Sequence, residues 1–194
     1  MFTGIITHLG RFHSYQSGHQ EIGIEVLEKP LHINLGDSLA VNGVCLSLIR
    51  KEKDLLYFNL SQETLQKTTL DSLKRGDQLN LELPLTLASP LGGHLVTGHI
   101  DGIGKVRRVA PRRSGSRITL AFPAELKPFF VPKGSVALDG VSLTLASLAP
   151  SSLEVEAIPI TLSSTNMRLW KPGRSVNVEC DIIGKYVYNW AVKS

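Results

Sequence analysis

The sequence SLAVNGVCLSL at residues 38–48 returns as SVALDGVSLTL at residues 135–145. Six of the eleven positions are identical, and the other five are conservative or nearly so. Each block places a strong turn dipeptide, Asn42-Gly43 or Asp139-Gly140, between two apolar runs, which is typical of a β-hairpin. The two blocks therefore predict the same hairpin twice, 97 residues apart.

The similarity continues on both sides of this block. Upstream, TGII at residues 3–6 corresponds to TGHI at residues 97–100, with a separation of 94 residues. Downstream, a third block keeps the separation of 97: Thr64, Leu65, Thr68, Gly76, Asn80 and Glu82 return as Thr161, Leu162, Thr165, Gly173, Asn177 and Glu179. Three ordered blocks with nearly constant spacing predict an internal duplication. We expect one domain at residues 1–94, a second at residues 95–181, and a C-terminal helix at residues 182–194.

Within each copy the pattern is that of a β-protein. QLNLEL at residues 78–83 and SVNVEC at residues 175–180 alternate polar and apolar side chains, which predicts strands. KRGD at residues 74–77 and KPGR at residues 171–174 predict a second turn in each copy, and Ser61 is a plausible cap for a short helix. The predicted fold class is all-β with a C-terminal helix: two tandem, pseudo-symmetric, small antiparallel barrels of Greek-key type.

The C-terminal segment has a helical period. Its apolar residues form one face, with Asp181 at the start of the helix. The members of this face are Ile182, Ile183, Tyr186, Val187, Trp190 and Ala191. The face could fold back onto its own barrel, but so concentrated a stripe on a terminal helix favours oligomerisation.

Composition narrows the functional class. The chain has two cysteines and lacks a basic, apolar leader, which predicts a cytoplasmic protein without a disulfide framework. None of its apolar stretches is long enough to predict a membrane-spanning helix.

The net charge of +4 and the pI near 9.1 raise the alternative of an RNA-binding barrel. Much of the basic excess lies between residues 105 and 117, where it predicts a β-hairpin with a solvated polar loop. No aromatic side chain interleaves with those charges, so we expect no nucleic-acid partner.

The two copies differ at positions that carry chemistry. Ile5 corresponds to His99, Cys45 to Ser142, and Asn42 to Asp139. His99 follows a glycine and can exchange a proton near neutral pH, although a surface or structural role is equally open. Cys45 is a candidate nucleophile, with a buried inert thiol as the alternative.

Metal and cofactor motifs are not apparent. His94 and His99 lack further ligands at zinc spacing, and neither a phosphate loop nor a supported dinucleotide fingerprint occurs. We therefore expect no metal and no cofactor, and a small heterocycle as the ligand.

Five segments together resemble the riboflavin synthase family of the type with two lumazine-binding repeats. They are MFTGII, GDSLAVNGVCLSL, GGHLVTGHIDGIG, KGSVALDGVSLTL and VNVECDIIGKYV, in the family's order and spacing over nearly the whole chain. The resemblance implies a cofactor-free dismutation of two molecules of 6,7-dimethyl-8-ribityllumazine, in which one donates a four-carbon unit to the other. The products are riboflavin and 5-amino-6-ribitylamino-uracil.

The resemblance also implies an assembly. The family forms a homotrimer through the C-terminal helices, with each active site between barrels of neighbouring subunits. Some relatives associate with lumazine synthase, which makes the substrate.

The resemblance assigns roles by position. It makes His99 an acid–base group at the reacting methyl group, and it makes Cys45 and Ser38 the groups that supply or steer a nucleophile. Asp181 and Asp139 match acidic residues near the catalytic interface. The implied substrate contacts in the first copy are Phe2, Gly4, Ile5, Ile6, Cys45, Leu46, Ser47 and Thr64. The implied substrate contacts in the second copy are Gly98, His99, Ile100, Lys133, Ser142, Leu143, Thr144, Ile158 and Thr161.

The chain departs from the family in three places. The family commonly has Thr at the position of Ser47 and Ser at the position of Thr97, so both changes keep a hydroxyl group. Ile160 stands where Glu or His is common, and the linker LPLTLASPL lacks the charged residues that are usual before the Gly-Gly-His segment. Non-catalytic lumazine or flavin carriers share the repeat but typically lose the cysteine and the histidine, so Cys45 and His99 favour the enzyme. A flavin-dependent reductase would need a separate nicotinamide domain, for which no residues remain.

Overall fold

Six antiparallel strands close into a barrel in the first half of the chain. The computed structural model describes residues 1–27 and 31–193. The strands of this first barrel are β1 (His8–Gln16), β2 (Glu21–Val26), β3 (Ser38–Val41), β4 (Val44–Glu52), β5 (Leu55–Asn59) and β6 (Gln78–Glu82). They lie in the closed order β1-β2-β5-β4-β3-β6, in which β2 to β5 form a Greek key.

The second half repeats this arrangement strand for strand. Its strands are β7 (Gly102–Arg112), β8 (Gly115–Ala121), β9 (Ser135–Leu138), β10 (Val141–Leu148), β11 (Ser152–Ala157) and β12 (Ser175–Cys180). Their closed order β7-β8-β11-β10-β9-β12 is that of the first barrel. The predicted fold class, two tandem antiparallel barrels followed by a helix, is confirmed.

The short helices that follow β5 and β11 occupy equivalent places in the two copies. The α-helices are α1 (Gln62–Lys67), α2 (Pro159–Ser164) and α3 (Ile182–Lys193), and the 3₁₀ helices are Thr69–Ser72, Ala124–Phe129 and Asn166–Leu169. The Ser61 hydroxyl accepts a hydrogen bond of 3.0 Å from the Thr64 N–H, which is the predicted cap of α1. Ser194, the last residue of the predicted C-terminal helix, lies outside the described residues.

Each barrel has its own apolar core. Alternation along β4 sends Val44, Leu46 and Leu48 inward and leaves Cys45 and Ser47 on the outer face of the barrel. Burial of each such inward side chain contributes about 1.5–3 kcal/mol. The outer faces are therefore free to carry the polar groups of a site.

The two turns that predicted the duplication also join the barrels. Asn42 and Gly43 have φ angles of 45° and 81°, and Asp139 and Gly140 have 45° and 80°, as a type I′ hairpin turn requires. The turns pack back to back, because a Cβ built on Gly43 would lie 2.7 Å from the Gly140 nitrogen, and the reverse distance is also 2.7 Å. No other residue than glycine fits at either position.

Buried carboxamides surround this contact in reciprocal pairs. The Asn80 side chain donates to the Asp139 carbonyl, and the Asn177 side chain donates to the Asn42 carbonyl, both at 2.9 Å. Asn166 bridges the set, since its amide donates to Asn42 Oδ1 at 3.1 Å and to Asp139 Oδ2 at 3.2 Å. Reciprocal contacts of this kind indicate an approximate twofold axis between the barrels.

The basic cluster lies on the predicted hairpin. Strands β7 and β8 join through a turn at Arg113–Ser114, and Arg117 of β8 forms ion pairs with Glu154 and Glu156 of the neighbouring strand β11. The other basic side chains of this hairpin are exposed. Among residues 1–27 and 31–193, no helix is long and apolar enough to cross a membrane.

Helix α3 leaves most of its apolar face uncovered. It is fixed at one side by an ion pair of 2.7 Å between Lys185 and Asp101 and by an edge contact between Tyr188 and Phe129. Ile183, Tyr186 and Val187 nevertheless remain 60%, 69% and 59% exposed. These three side chains do not fold back onto the chain's own barrel.

The interface between the barrels gives a pH-dependent stability that can be measured. Burial raises the pKa of Asp139 to about 6, against the opposing effects of Arg174 and of its hydrogen bonds. Between the unfolded pKa of about 4 and this value, the folded protein holds a proton that the unfolded chain has lost, so stability falls as the pH rises. We predict that Asp139→Asn, which restores the residue of the first copy, removes a fall of about 2 kcal/mol between pH 4 and pH 7.

Denaturant unfolding of both proteins across this pH range measures the difference. Among residues 1–27 and 31–193 the other buried carboxyl groups are Glu82 and Glu179, which titrate in both proteins and so cancel in the comparison. Parallel stability curves for wild type and variant would contradict the prediction.

Candidate active site

A cavity of about 260 Å³ lies on the outer face of the first barrel. Strand β4, helix α1 and the segment that leads into the second barrel form its walls. It is lined by Val44, Cys45, Ser61, Glu63, Thr64, Lys67, Thr68, Gly98, His99 and Ile100. We call it the first pocket.

A second pocket of about 400 Å³ occupies the equivalent place on the second barrel. It is lined by Val141, Ser142, Ile158, Ile160, Thr161, Ser164, Thr165, Gly4, Ile5 and Ile6. Each of these residues is the repeat counterpart, in the same order, of a residue that lines the first pocket. The duplication therefore builds the same cavity twice.

Each pocket is completed by a segment from the other copy. The Gly98 carbonyl accepts from the Cys45 N–H at 3.0 Å, which holds residues 98–100 over the first barrel. The Gly4 carbonyl accepts from the Ser142 N–H at 2.8 Å, which holds residues 4–6 over the second barrel. Gly4 and Gly98, with φ angles of 76° and 84°, permit these close approaches, because a side chain at either would overlap its partner.

The two pockets differ in chemistry although they share an architecture. The first pocket has Cys45, Glu63, Lys67 and His99 where the second has Ser142, Ile160, Ser164 and Ile5. The first pocket thus contains a thiol, an imidazole and two opposite charges. The second offers hydroxyl groups among aliphatic side chains. Two chemically different binding places on one scaffold suit a pair of identical molecules that must react in different roles.

The predicted candidates fall into three groups. Cys45, Thr64, Gly98, His99 and Ile100 come together in the first pocket, where Cys45 is half-buried and His99 is exposed. The second pocket gathers the predicted residues Gly4, Ile5, Ile6, Ser142, Ile158 and Thr161. An adjoining recess of about 310 Å³ adds Lys133, Leu143 and Thr144.

The remaining candidates lie away from both cavities. Ser38 and Ser47 are cross-strand partners on the face that carries Cys45, but neither lines the first pocket. Leu46 is buried in the core of the first barrel, and Phe2 is fully buried between the barrels against Val96.

The two acidic candidates also lie outside the cavities. Asp181 Oδ1 accepts from the Ile183 N–H at 3.0 Å and so caps α3. Asp139 belongs to the buried carboxamide network between the barrels.

Sequence reasoning missed two sets of residues. In the sequence, Ser61, Glu63 and Lys67 look like solvated residues of a short helix. They line a pocket only because residues 98–100 of the second copy pack over the first barrel beside α1. His94 is buried with Nδ1 2.7 Å from Ser142 Oγ, and burial lowers the pKa of its imidazole. These two residues are 48 positions apart, so no local pattern predicts the pair.

Comparison with known proteins agrees with this geometry. The lumazine binding domain family matches the chain twice, at residues 3–84 and 97–181. The riboflavin synthase of Bacillus subtilis (strain 168) is 35% identical over 196 residues, covering 100% of this chain and 91% of the relative. The riboflavin synthase of Brucella abortus (strain 2308) is 37% identical over 193 residues, covering 96% of each.

The chain belongs to the riboflavin synthase family. The resemblance seen in the sequence is thereby confirmed, and so is the prediction that the chain is an enzyme of the transferase class.

Solved structures show the same fold. LumP complexed with riboflavin aligns with a TM-score of 0.85 at 23% identity, covering 93% of this chain and 99% of that protein. LumP complexed with 6,7-dimethyl-8-(1'-D-ribityl) lumazine aligns with a TM-score of 0.82 at 22% identity, covering 92% and 98%. Membership of the riboflavin synthase family rests on the more similar enzymes, which favours the synthase over the non-catalytic carrier.

Gly98, which packs against Cys45, offers a direct test of the first pocket. We predict that Gly98→Ala destabilises the protein by at least about 2 kcal/mol and weakens ligand binding, because the new Cβ overlaps Cys45 at a positive φ. Gly76→Ala is the matched control, since Gly76 also has a positive φ of 94° but no atom within 4 Å of the added Cβ.

The control should lose about 1 kcal/mol of stability and keep its ligand affinity. Denaturant unfolding and fluorescence titration with 6,7-dimethyl-8-ribityllumazine measure both quantities. Equal losses in the two variants would mean that the close approach of Gly98 to Cys45 is unimportant.

Proposed function

We propose that the chain catalyses the dismutation of two molecules of 6,7-dimethyl-8-ribityllumazine to riboflavin and 5-amino-6-ribitylamino-uracil. The observation that carries the proposal is the pair of pockets with one architecture and two chemistries. Two identical heterocycles need related binding places, and the transfer of a four-carbon unit needs one place to differ from the other. The family membership of the chain supports the same reaction.

The reactive groups of the first pocket have distinct proposed roles. His99 exchanges the proton of the acidic methyl group on the lumazine, a contribution of about 10²–10⁴-fold in general acid–base catalysis. Cys45 supplies or steers the nucleophile, and Ser38, which lies outside the pocket on the same face of the sheet, helps to steer it. Thr64 and the exposed charges of Glu63 and Lys67 can hydrogen-bond polar groups of the substrate.

The second pocket holds the partner molecule. Ser142 and Thr161 provide hydroxyl groups, and Ile5, Ile6 and Ile158 provide apolar contacts to the ring. The binding of two lumazines in register replaces a bimolecular encounter, which can lower the barrier by roughly 7–11 kcal/mol at best. The proposed reaction uses no metal and no organic cofactor.

The proposed active site lies between subunits. The linings of the first and second pockets share no residue, so a lumazine in each pocket of one chain occupies a separate cavity. Contact between the two molecules is achieved when the first pocket of one subunit faces the second pocket of another. The exposed face of α3, with Ile183, Tyr186 and Val187, supports a homotrimer that brings them together. A cytoplasmic location and an association with lumazine synthase stay predictions.

The reaction can be assayed with a single substrate. Purified protein and 6,7-dimethyl-8-ribityllumazine alone should give riboflavin, followed by its absorbance, without any added cofactor. We predict that His99→Ala lowers kcat by about 10²-fold, and that Cys45→Ser, which installs the residue of the second pocket, lowers it by at least about tenfold. Tight binding without turnover by the wild type would instead support the carrier.

The assembly can be tested separately from the chemistry. We predict that the double variant Tyr186→Glu, Val187→Asp is monomeric by analytical ultracentrifugation and loses turnover, because like charges cannot be buried in the proposed interface. It should still bind lumazine, since neither residue lines a pocket. Wild-type turnover by a proven monomer would contradict an active site between subunits.

A further inference from the structure

The segment that carries His99 is held by a carboxylate from the last strand of its own barrel, 82 residues further along the chain. Glu179, in β12, is 1% exposed and accepts three hydrogen bonds from two consecutive residues. The Thr97 N–H donates at 2.6 Å, the Thr97 hydroxyl at 2.7 Å, and the Gly98 N–H at 3.0 Å. Hydrogen bonds to an ionised acceptor are the strong ones, so this contact fixes the backbone immediately before His99.

The fixed backbone connects the two barrels. Thr97 Oγ1 in turn accepts from the His99 N–H at 3.3 Å. On the far side, the Gly98 carbonyl accepts from Cys45 of the first barrel. A carboxylate of the second barrel therefore sets where His99 sits in a pocket of the first barrel, although Glu179 lines neither pocket.

We propose that Glu179 is a positioning residue for the reaction, acting through Thr97 and Gly98 to hold His99 against the first pocket. The proposal rests on the proposed function, in which His99 exchanges the proton of the substrate. A misplacement of a catalytic group by about 1 Å can cost 10²-fold in rate, so a backbone fixed at three points is a catalytic requirement as well as a structural one.

The repeat supplies a matched control within the same molecule. Glu82, 3% exposed in β6, accepts from the Thr3 N–H at 2.6 Å, the Thr3 hydroxyl at 2.7 Å and the Gly4 N–H at 3.0 Å. The residue that follows this segment is Ile5, which has no proton to exchange. The two carboxylates do the same structural work, but only Glu179 acts on a group that can take part in proton transfer.

Charges near Glu179 come from helix α3 and from the loop before β7. Burial raises the pKa of Glu179, and the hydrogen bonds from Thr97 and Gly98, together with the charge of Lys185 in α3, oppose this rise. Lys185 also pairs with Asp101, whose Oδ2 accepts from the Cys180 N–H at 2.7 Å. A glutamine at position 179 keeps the shape of the side chain but has one oxygen instead of two, and it presents an N–H to a neighbouring donor.

The experiment is a double-mutant cycle with riboflavin formation as its readout. Glu179→Gln should lower kcat by at least about tenfold with a smaller change in KM, and in the His99→Ala background it should lower kcat less than about twofold. Glu82→Gln should lower kcat by the same factor in the wild-type and His99→Ala backgrounds. If Glu179→Gln costs the same factor in both backgrounds, its role is structural only and the proposal is wrong.

Two further measurements keep the test decisive. If Glu179→Gln does not fold, Thr97→Val can replace it, because this variant removes the hydroxyl that donates to Glu179 and accepts from the His99 N–H. Thr97→Val should show the same non-additivity, whereas Thr97→Ser keeps the hydroxyl and should keep the activity. The ring resonances of His99 in histidine-labelled protein should shift and broaden in Glu179→Gln but not in Glu82→Gln. This readout needs no turnover, so unmoved resonances overturn the proposal even if the wild type proves to be inactive on lumazine.

Discussion

The back-to-back contact of two hairpin turns determines the arrangement of everything else. Gly43 and Gly140 meet at a distance that only glycine permits, and their left-handed backbone is what the type I′ turn demands. The surrounding carboxamides satisfy the polar groups that this contact buries, in pairs that run in both directions across the interface. Since the turns are fixed, β4 faces residues 98–100 and β10 faces residues 4–6, the entry segments that precede the opposite barrels, and the two pockets are completed.

An exact repeat would be of little use for a reaction between identical molecules, since donor and acceptor must be distinguished. The chain keeps the backbone of the two pockets alike and varies a few side chains on it. Cys45 and His99 stand opposite Ser142 and Ile5, and the polar Glu63 and Lys67 stand opposite Ile160 and Ser164. These residues lie on outer faces and short helices, where substitution leaves the apolar cores of the barrels intact. Function can therefore diverge at small cost in stability.

Local patterns in the sequence predicted the fold well. The Asn42-Gly43 turn, the alternation in β6 and β12 and the cap at Ser61 depend on neighbouring residues, so they were visible without tertiary information. The sequence did not predict that each copy places its entry segment over the barrel of the other copy. The contact of Gly4 with Ser142, for example, depends on how two complete barrels dock. Glu63 and Lys67 resembled ordinary surface charges for the same reason. Glu82 and Glu179 were visible as repeated positions, but their carboxylates gain a role only when the entry segments fold onto them.

Because the entry segments are exchanged, one repeat of the sequence forms one barrel, but each binding pocket is built from both repeats. One repeat encodes a complete barrel, yet its first residues close the cavity of its neighbour and it relies on that neighbour to close its own. An ancestor with a single repeat could build a closed pocket only as a dimer of two such chains, each lending its entry segment to the other. Two repeats in one chain keep that geometry and can differ in sequence, so one copy has a histidine where the other has an isoleucine.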